Sequence, residues 1–88
     1  MVETIELEFN AEEARVILYA GTGIIKLRGD NRRVVILNWE GTTHPDYPIE
    51  GIIPELGSDM IFHWTEKGKI AKDQMSRYDL IIEGKLWN

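Results

Sequence analysis

Cysteine is absent from the 88 residues of this sequence, and that absence excludes several kinds of chemistry. Disulfide bonds, thiolate metal ligands and cysteine nucleophiles all require it. Small secreted domains usually depend on disulfides for stability, so a chain without cysteine is more typical of a reducing compartment. We therefore expect a cytoplasmic protein.

Long apolar segments are absent as well. The longest uninterrupted runs, such as Val16–Ala20, fall far short of the ~20 apolar residues that a membrane-spanning helix needs. The first residues, Met1–Glu6, are acidic and alternating, and they contain neither the basic region nor the apolar region of a signal peptide. We therefore expect no membrane partner.

Histidine is scarce, and His44 and His63 are its only occurrences. A zinc site needs several imidazoles, thiolates or carboxylates that converge, and we expect these two side chains to lie apart, one in a loop and one on a strand surface. The candidate hydroxyl nucleophiles lie where turn chemistry already explains them, and Gly21-Thr22-Gly23 lacks the remainder of a phosphate-binding motif. The sequence therefore predicts no catalytic residue, cofactor, metal or small-molecule substrate.

Basic residues are outnumbered, with 10 Lys and Arg against 15 Asp and Glu and a formal net charge of −5. This balance disfavours general nucleic-acid binding, which requires clustered cations to neutralise phosphates. The one basic cluster of the sequence comprises Lys26, Arg28, Arg32 and Arg33. It leaves a nucleic-acid-associated module as the alternative function.

Apolar residues make up 43% of the chain and charged residues 28%, an ordinary composition for one small globular domain, residues 1–88. Short apolar runs bounded by glycine and proline fill the second half and predict strands. Pro48 and Pro54 restrict the first of them to a short span or a sheet edge. The predicted strands are Ile49–Ile53, Met60–Thr65, a brief one at Ile70–Ala71, and Tyr78–Glu83, with Gly84–Asn88 as a tail that packs back through Leu86 and Trp87.

The first half contains an alternating segment and a hairpin. Val2–Phe9 alternates strictly from Ile5 onward, with Ile5, Leu7 and Phe9 on one face and Glu6 and Glu8 on the other, which predicts a half-buried strand near an edge. Ile24–Arg28 and Arg32–Trp39 flank a Gly-Asp-Asn turn and predict a hairpin. Val34–Leu37 is apolar on both faces, so we expect a central strand there.

Residues 11–20 allow two interpretations. Asn10 followed by Glu12 and Glu13 is typical of a helix start, and Gly21 can provide a left-handed cap, which favours a helix over Ala11–Ala20. The β-prone residues of Arg15–Ala20 favour a strand instead. We expect an α+β, mainly antiparallel domain, either a small sheet or a partly open SH3-like barrel with one short helix; the alternative is all-β.

The second half of the chain contains the motifs Tyr47-Pro48-Ile49, Trp64-Thr65 and Tyr78-Asp79-Leu80. With these motifs the sequence from Val34 to Glu83 resembles a group of small uncharacterised proteins from bacteriophages, prophages and gut Bacteroidales. The resemblance covers about half of the chain. The group has no established activity, so the resemblance implies a phage or mobile-element setting and no catalytic role. The matching residues are Tyr47, Pro48, Ile49, Trp64, Thr65, Gly68, Lys69, Ser76, Tyr78, Asp79 and Leu80.

The longest loop, Glu40–Pro48, is the best candidate for function, because long loops on a rigid scaffold often carry binding residues. Trp39 and Tyr47 bracket it, and tryptophan and tyrosine are preferred interface anchors. The Tyr47–Pro48 peptide bond could be cis or trans. The sequence thus predicts a non-enzymatic protein-binding or accessory module that acts through this loop or an open sheet edge, with self-association included. The candidate partner-binding residues are Arg32, Arg33, Trp39, His44 and Tyr47.

Overall fold

The computed structural model describes the backbone of residues 2–87 and the side chains of residues 3–84. It contains one α-helix, six strands and a short 3-10 turn at Pro54–Leu56. In chain order the elements are β1 (Val2–Glu8), α1 (Ala11–Ala20), β2 (Gly23–Leu27), β3 (Val35–Asn38), β4 (Ile49–Ile53), β5 (Gly57–Trp64) and β6 (Leu80–Trp87).

The strands form two three-stranded antiparallel sheets. The first sheet has the order β1-β6-β2 and the second has the order β3-β4-β5. The predicted α+β, mainly antiparallel architecture is therefore confirmed, and the two sheets do not close into a barrel. The helix α1 excludes the all-β alternative.

Local chemistry explains why residues 11–20 become a helix. The Asn10 side chain accepts hydrogen bonds from the backbone N–H groups of Glu12 and Glu13, at 3.0 and 3.4 Å. Gly21 adopts φ +71° and its N–H donates to the last turn of the helix. Both ends of the helix thus have partners for backbone groups that would otherwise lack them.

The two arms of the predicted hairpin belong to different sheets. β2 and the segment before β3 share two backbone hydrogen bonds, from Val34 N to Ile25 O at 2.9 Å and from Leu27 N to Arg32 O at 3.0 Å. Beyond Val34 this pairing stops, and β3 pairs with β4 alone. The hairpin is therefore confirmed only at its turn end.

The expectation of a central strand at Val34–Leu37 is wrong. β3 lies at the edge of the second sheet, and its Val35 and Leu37 side chains are exposed. β4 is the central strand of that sheet, with Ile49 and Ile53 fully buried. The two prolines that flank β4 lie outside its ladder, so they limit its length without forcing it to an edge.

The core lies between the sheets and is built around Trp64, which has no exposed surface. Asp79 is buried with it, and its two carboxylate oxygens accept from the backbone N–H groups of Ile70 and Ser76, at 3.1 and 3.0 Å. These bonds satisfy a charge that would otherwise be costly to bury. They also explain why the chain before β6 is ordered without being a strand.

One alternative that the sequence left open is decided, and two further expectations are corrected. Tyr47–Pro48 is trans, as is every peptide bond among residues 2–87. Ile70–Ala71 is not a strand, since only an isolated bridge joins Ala71 to Gln74. The backbone of 84–87 is no tail but the end of β6, paired with β1, and the predicted packing of Leu86 and Trp87 lies outside the described side chains.

No helix in residues 2–87 is both long enough and apolar enough to cross a membrane.

Candidate functional site

An apolar groove opens where β2 and β3 separate. It has a volume of about 500 Å³, and helix α1 forms one of its walls. We call it the α1–β3 groove and define it by six of its lining residues: Leu18, Ile24, Arg33, Val35, Ile36 and Trp39.

The groove owes its apolar character to side chains that the core does not cover. Leu18 on α1 is 38% exposed and Val35 on β3 is 44% exposed. Ile36, the residue after Val35, is half-buried and packs against the core. β3 has a paired neighbour on one side only, so its outer backbone edge is unpaired where its Val35 and Ile36 line the groove.

Trp39 is half-buried at one end of the groove. Its ring stacks on Phe9 with centroids 6.3 Å apart, and the Arg15 guanidinium lies 5.7 Å from its centroid. Arg15 also pairs with Glu40 at 3.5 Å. The contacts with Phe9 and Arg15 hold the indole in one orientation, so Trp39 serves the core and also lines the groove.

Lys26 and Arg32 of the predicted basic cluster already have carboxylate partners. The Lys26 ammonium is buried, and it lies 3.2 Å from Glu6 and 3.3 Å from Glu83. Arg32 lies 3.0 Å from Asp30 and 3.4 Å from Glu55.

The environment of Lys26 affects its pKa in two opposing ways. Burial lowers the pKa of the ammonium, but the hydrogen bonds and negative charges of Glu6 and Glu83 together outweigh burial, and the net pKa is raised above the ordinary value of 10.5. Lys26 on β2 is therefore a structural cation that connects its strand to Glu6 of β1 and Glu83 of β6.

Arg28 and Arg33 lie apart from those ion pairs. Neither has a carboxylate within salt-bridge distance among the described side chains. Arg33 lies at the groove, whereas Arg28 lines a separate depression with Glu8 and Asp79. The four cations are close together in the sequence, but they do not form one surface of unpaired positive charge.

The Glu40–Pro48 loop is tied to the protein body through Tyr47. Its hydroxyl accepts a hydrogen bond from the Lys72 backbone N–H at 3.2 Å, and its own N–H donates to His44 O at 2.8 Å. Asp46 pairs with the Lys72 ammonium at 3.7 Å. Tyr47 is half-buried and engaged in these contacts, and the structure does not place it at the groove.

The expectation that the two histidines lie apart is wrong. The rings of His44 and His63 meet edge to face with centroids 4.4 Å apart. His63 Nδ1 is buried without a hydrogen-bond partner in the described structure and lies 4.0 Å from the Glu50 carboxylate. The register of β4 and β5 pairs Glu50 with His63, but only the path of the loop brings His44 to them. Among the described residues, no group of three His, Cys, Asp or Glu is arranged to hold a metal ion.

Sequence reasoning identified Arg33 and Trp39 and missed Leu18 and Val35. Both missed residues are apolar and belong to segments for which burial is the usual expectation. The only signal in the sequence is the surplus of apolar positions in Val16–Tyr19, more than one helix face needs.

Comparison of the chain with protein-family models, with curated proteins and with solved structures finds no match.

Proposed function

We propose that this protein is a non-enzymatic, cytoplasmic protein-binding module that receives its partner in the α1–β3 groove. One observation carries the proposal: exposed apolar side chains of α1 and β3 flank a strand edge that has no neighbour. Apolar surface that is contiguous and exposed marks interaction sites more often than isolated apolar residues do. The resemblance to phage and Bacteroidales proteins supports an accessory role in a phage or mobile element.

The sheet edges differ in how they are protected. β1, one of the two outer strands of the first sheet, carries Glu3, Glu6 and Glu8, and charged residues on an edge discourage pairing with other chains. β3 reads Val-Ile-Leu-Asn and contains neither a charge nor a proline. Because β3 lacks such protection, its outer edge is better suited to pairing with a partner than the outer edge of β1.

The chemistry of the groove favours binding over catalysis. Arg33 is the one ionisable side chain among the described residues that line it. General acid–base or nucleophilic catalysis requires a second polar group within hydrogen-bond reach of the reacting atom. An apolar site with a single charge is typical of recognition.

The proposal can be tested by selection from a random-peptide display library on the wild-type protein. The enriched peptides are then measured against a groove variant, Leu18→Lys with Val35→Lys. The matched control is Val16→Lys with Tyr19→Lys, which adds the same charge at exposed apolar positions of α1 outside the groove, 67% and 95% exposed. Circular dichroism checks that both variants are folded.

We expect enriched peptides that bind the wild type and the control equally and bind the groove variant at least about tenfold more weakly, a difference of ~1.4 kcal/mol. Equal binding to both variants, or no enrichment, would refute the proposal. Strong binding of the wild type to DNA or RNA at low salt, lost at high salt, would instead support the alternative function.

A further inference from the structure

We infer that the groove takes an extended peptide, which adds as a strand to the outer edge of β3 and places a carboxylate on Arg33. The inference rests on the proposed function and names the class of partner. It follows from three features of the groove: the unpaired edge, the apolar walls and the position of one free cation.

The unpaired edge provides the backbone recognition. β3 pairs with β4 on one side, and on the other side its pairing with β2 ends at the Val34–Ile25 hydrogen bond. An added strand can form main-chain hydrogen bonds to such an edge without any requirement on its sequence. The register shift between Ile36 and Asn38 interrupts the straight edge, so the paired segment is short, on the order of three to five residues.

The walls of the groove provide the selectivity for apolar side chains. Successive side chains of a strand point to opposite faces, so every second residue of the peptide faces the same wall. Leu18 and Trp39 are exposed or half-buried there, and Ile24 is half-buried on the side of β2. The peptide is therefore expected to carry apolar side chains at alternate positions.

Arg33 provides the charge complementarity. Three other arginines each lie within 3.7 Å of a carboxylate: Arg15, Arg32 and Arg77. Arg33 has no such partner among the described side chains, and the carboxylate of Glu83, which lines the adjoining depression, is held by Lys26 at 3.3 Å.

Arg33 also lies where the backbone of the segment before β3 is still paired with β2, in an isolated antiparallel β-bridge with Lys26. A guanidinium there can hold a carboxylate with two parallel hydrogen bonds. The carboxylate can belong to the C-terminus of the peptide or to an Asp or Glu side chain, and the chemistry of recognition is the same for both.

The experiment uses peptides enriched on the wild-type protein, each synthesised in several forms. One series carries a single N-methyl group at successive peptide bonds, which removes one hydrogen-bond donor at a time. A second series has a free or an amidated C-terminus, and a third replaces Asp and Glu by Asn and Gln. Dissociation constants are measured by fluorescence anisotropy with the wild type, with Arg33→Gln and with the control Arg28→Gln, a second arginine without an ion partner, outside the groove.

We expect N-methylation to weaken binding by about tenfold or more at alternate positions and to have little effect at the positions between them. Arg33→Gln should weaken the carboxylate form by about ten- to a hundredfold, and the neutralised form hardly at all. Arg28→Gln should bind as the wild type does. The amidated and the Asn or Gln series show which of the two carboxylates is used.

N-methyl effects without a period of two would overturn the strand inference while leaving the groove as a binding site. Equal loss of affinity for both arginine variants would overturn the assignment of Arg33. Enrichment that does not depend on the groove would refute the proposed function itself. A concentration-dependent dimer in sedimentation that Val35→Lys abolishes would show that a second copy supplies the strand, and would overturn a separate partner.

Discussion

The Trp64 indole donates a hydrogen bond from Nε1 to the backbone carbonyl of Tyr78, with a distance of 2.8 Å. Trp64 ends β5 in the second sheet, and Tyr78 lies just before β6 of the first sheet. The indole has no exposed surface. This one side chain therefore fills the core and also connects the two sheets.

Trp64→Phe should destabilise the protein by about 2–4 kcal/mol. The substitution leaves the Tyr78 carbonyl without its donor, and the smaller ring leaves a cavity in the core. Urea denaturation followed by circular dichroism measures the loss. Trp39→Phe is the control, because Trp39 is half-buried and forms no indole hydrogen bond among the described residues. A loss no larger than that of Trp39→Phe would contradict the role given to Trp64.

Lys26 lies between two carboxylates that the fold places opposite each other. β1 and β6 pair Glu6 with Glu83, and like charges directly opposite in a sheet repel. Lys26→Met removes the cation that compensates them. We expect a loss of about 1–2 kcal/mol at neutral pH, less than for a fully buried pair, because the Glu6 side chain is 63% exposed and water screens its charge.

The contribution of Lys26 to the free energy of unfolding should decrease as the pH rises and should not increase. Its folded-state pKa is raised above 10.5, so its stabilisation is fully present below that pH and is lost as the pH rises through the folded-state value. The difference in unfolding free energy between wild type and Lys26→Met should therefore be constant at neutral and mildly alkaline pH and should shrink only as the pH rises above 10.5. Lys67 is an exposed lysine without an ion partner among the described side chains, so Lys67→Met should have about the same free energy of unfolding as the wild type at every pH. A difference that grows in alkali would contradict the assignment.

Gly68 should tolerate a side chain less well than Gly21, although both have a left-handed backbone, with φ +77° and +71°. A Cβ at Gly68 would lie 2.7 Å from Phe9, whereas one at Gly21 meets nothing within 4 Å. We expect Gly21→Ala to lower the free energy of unfolding by about 1 kcal/mol from backbone strain alone. Gly68→Ala should cost about 2–4 kcal/mol, because Phe9 must move as well.

Gly68→Ala should also affect binding in the groove, because the displaced Phe9 stacks on Trp39. Binding of an enriched peptide should weaken in Gly68→Ala and not in Gly21→Ala. Thermal denaturation compares the two stabilities. Equal stabilities would show that Phe9 adapts without cost.

Elements with strong local signals were predicted well. Asn10 and Gly21 specified the ends of α1, and the alternation from Ile5 onward specified β1 as an edge strand. The order of the strands was a different matter. Val34–Leu37 is as apolar as a central strand, and no local feature showed that its pairing with β2 would stop after Val34.

The candidate site was predicted only in part, again because the sequence does not show which strands become neighbours. Arg33 and Trp39 stand out because arginine and tryptophan are enriched among the residues that anchor interfaces. Leu18 and Val35 look like core residues in the sequence, and the pairing of His63 with His44 depends on the path of a loop.

The sequence by itself determined the absence of thiol chemistry and the mainly antiparallel β character, and it favoured a helix between Asn10 and Gly21, because composition, caps and periodicity act within a few residues. Only the tertiary structure decided which apolar side chains remained exposed and which cations were neutralised. Lys26 and Arg33 lie seven positions apart in the same apparent cluster, yet one is buried between two carboxylates and the other lies at the groove. Burial and ion pairing depend on which strands become neighbours, and that choice was made by the whole chain.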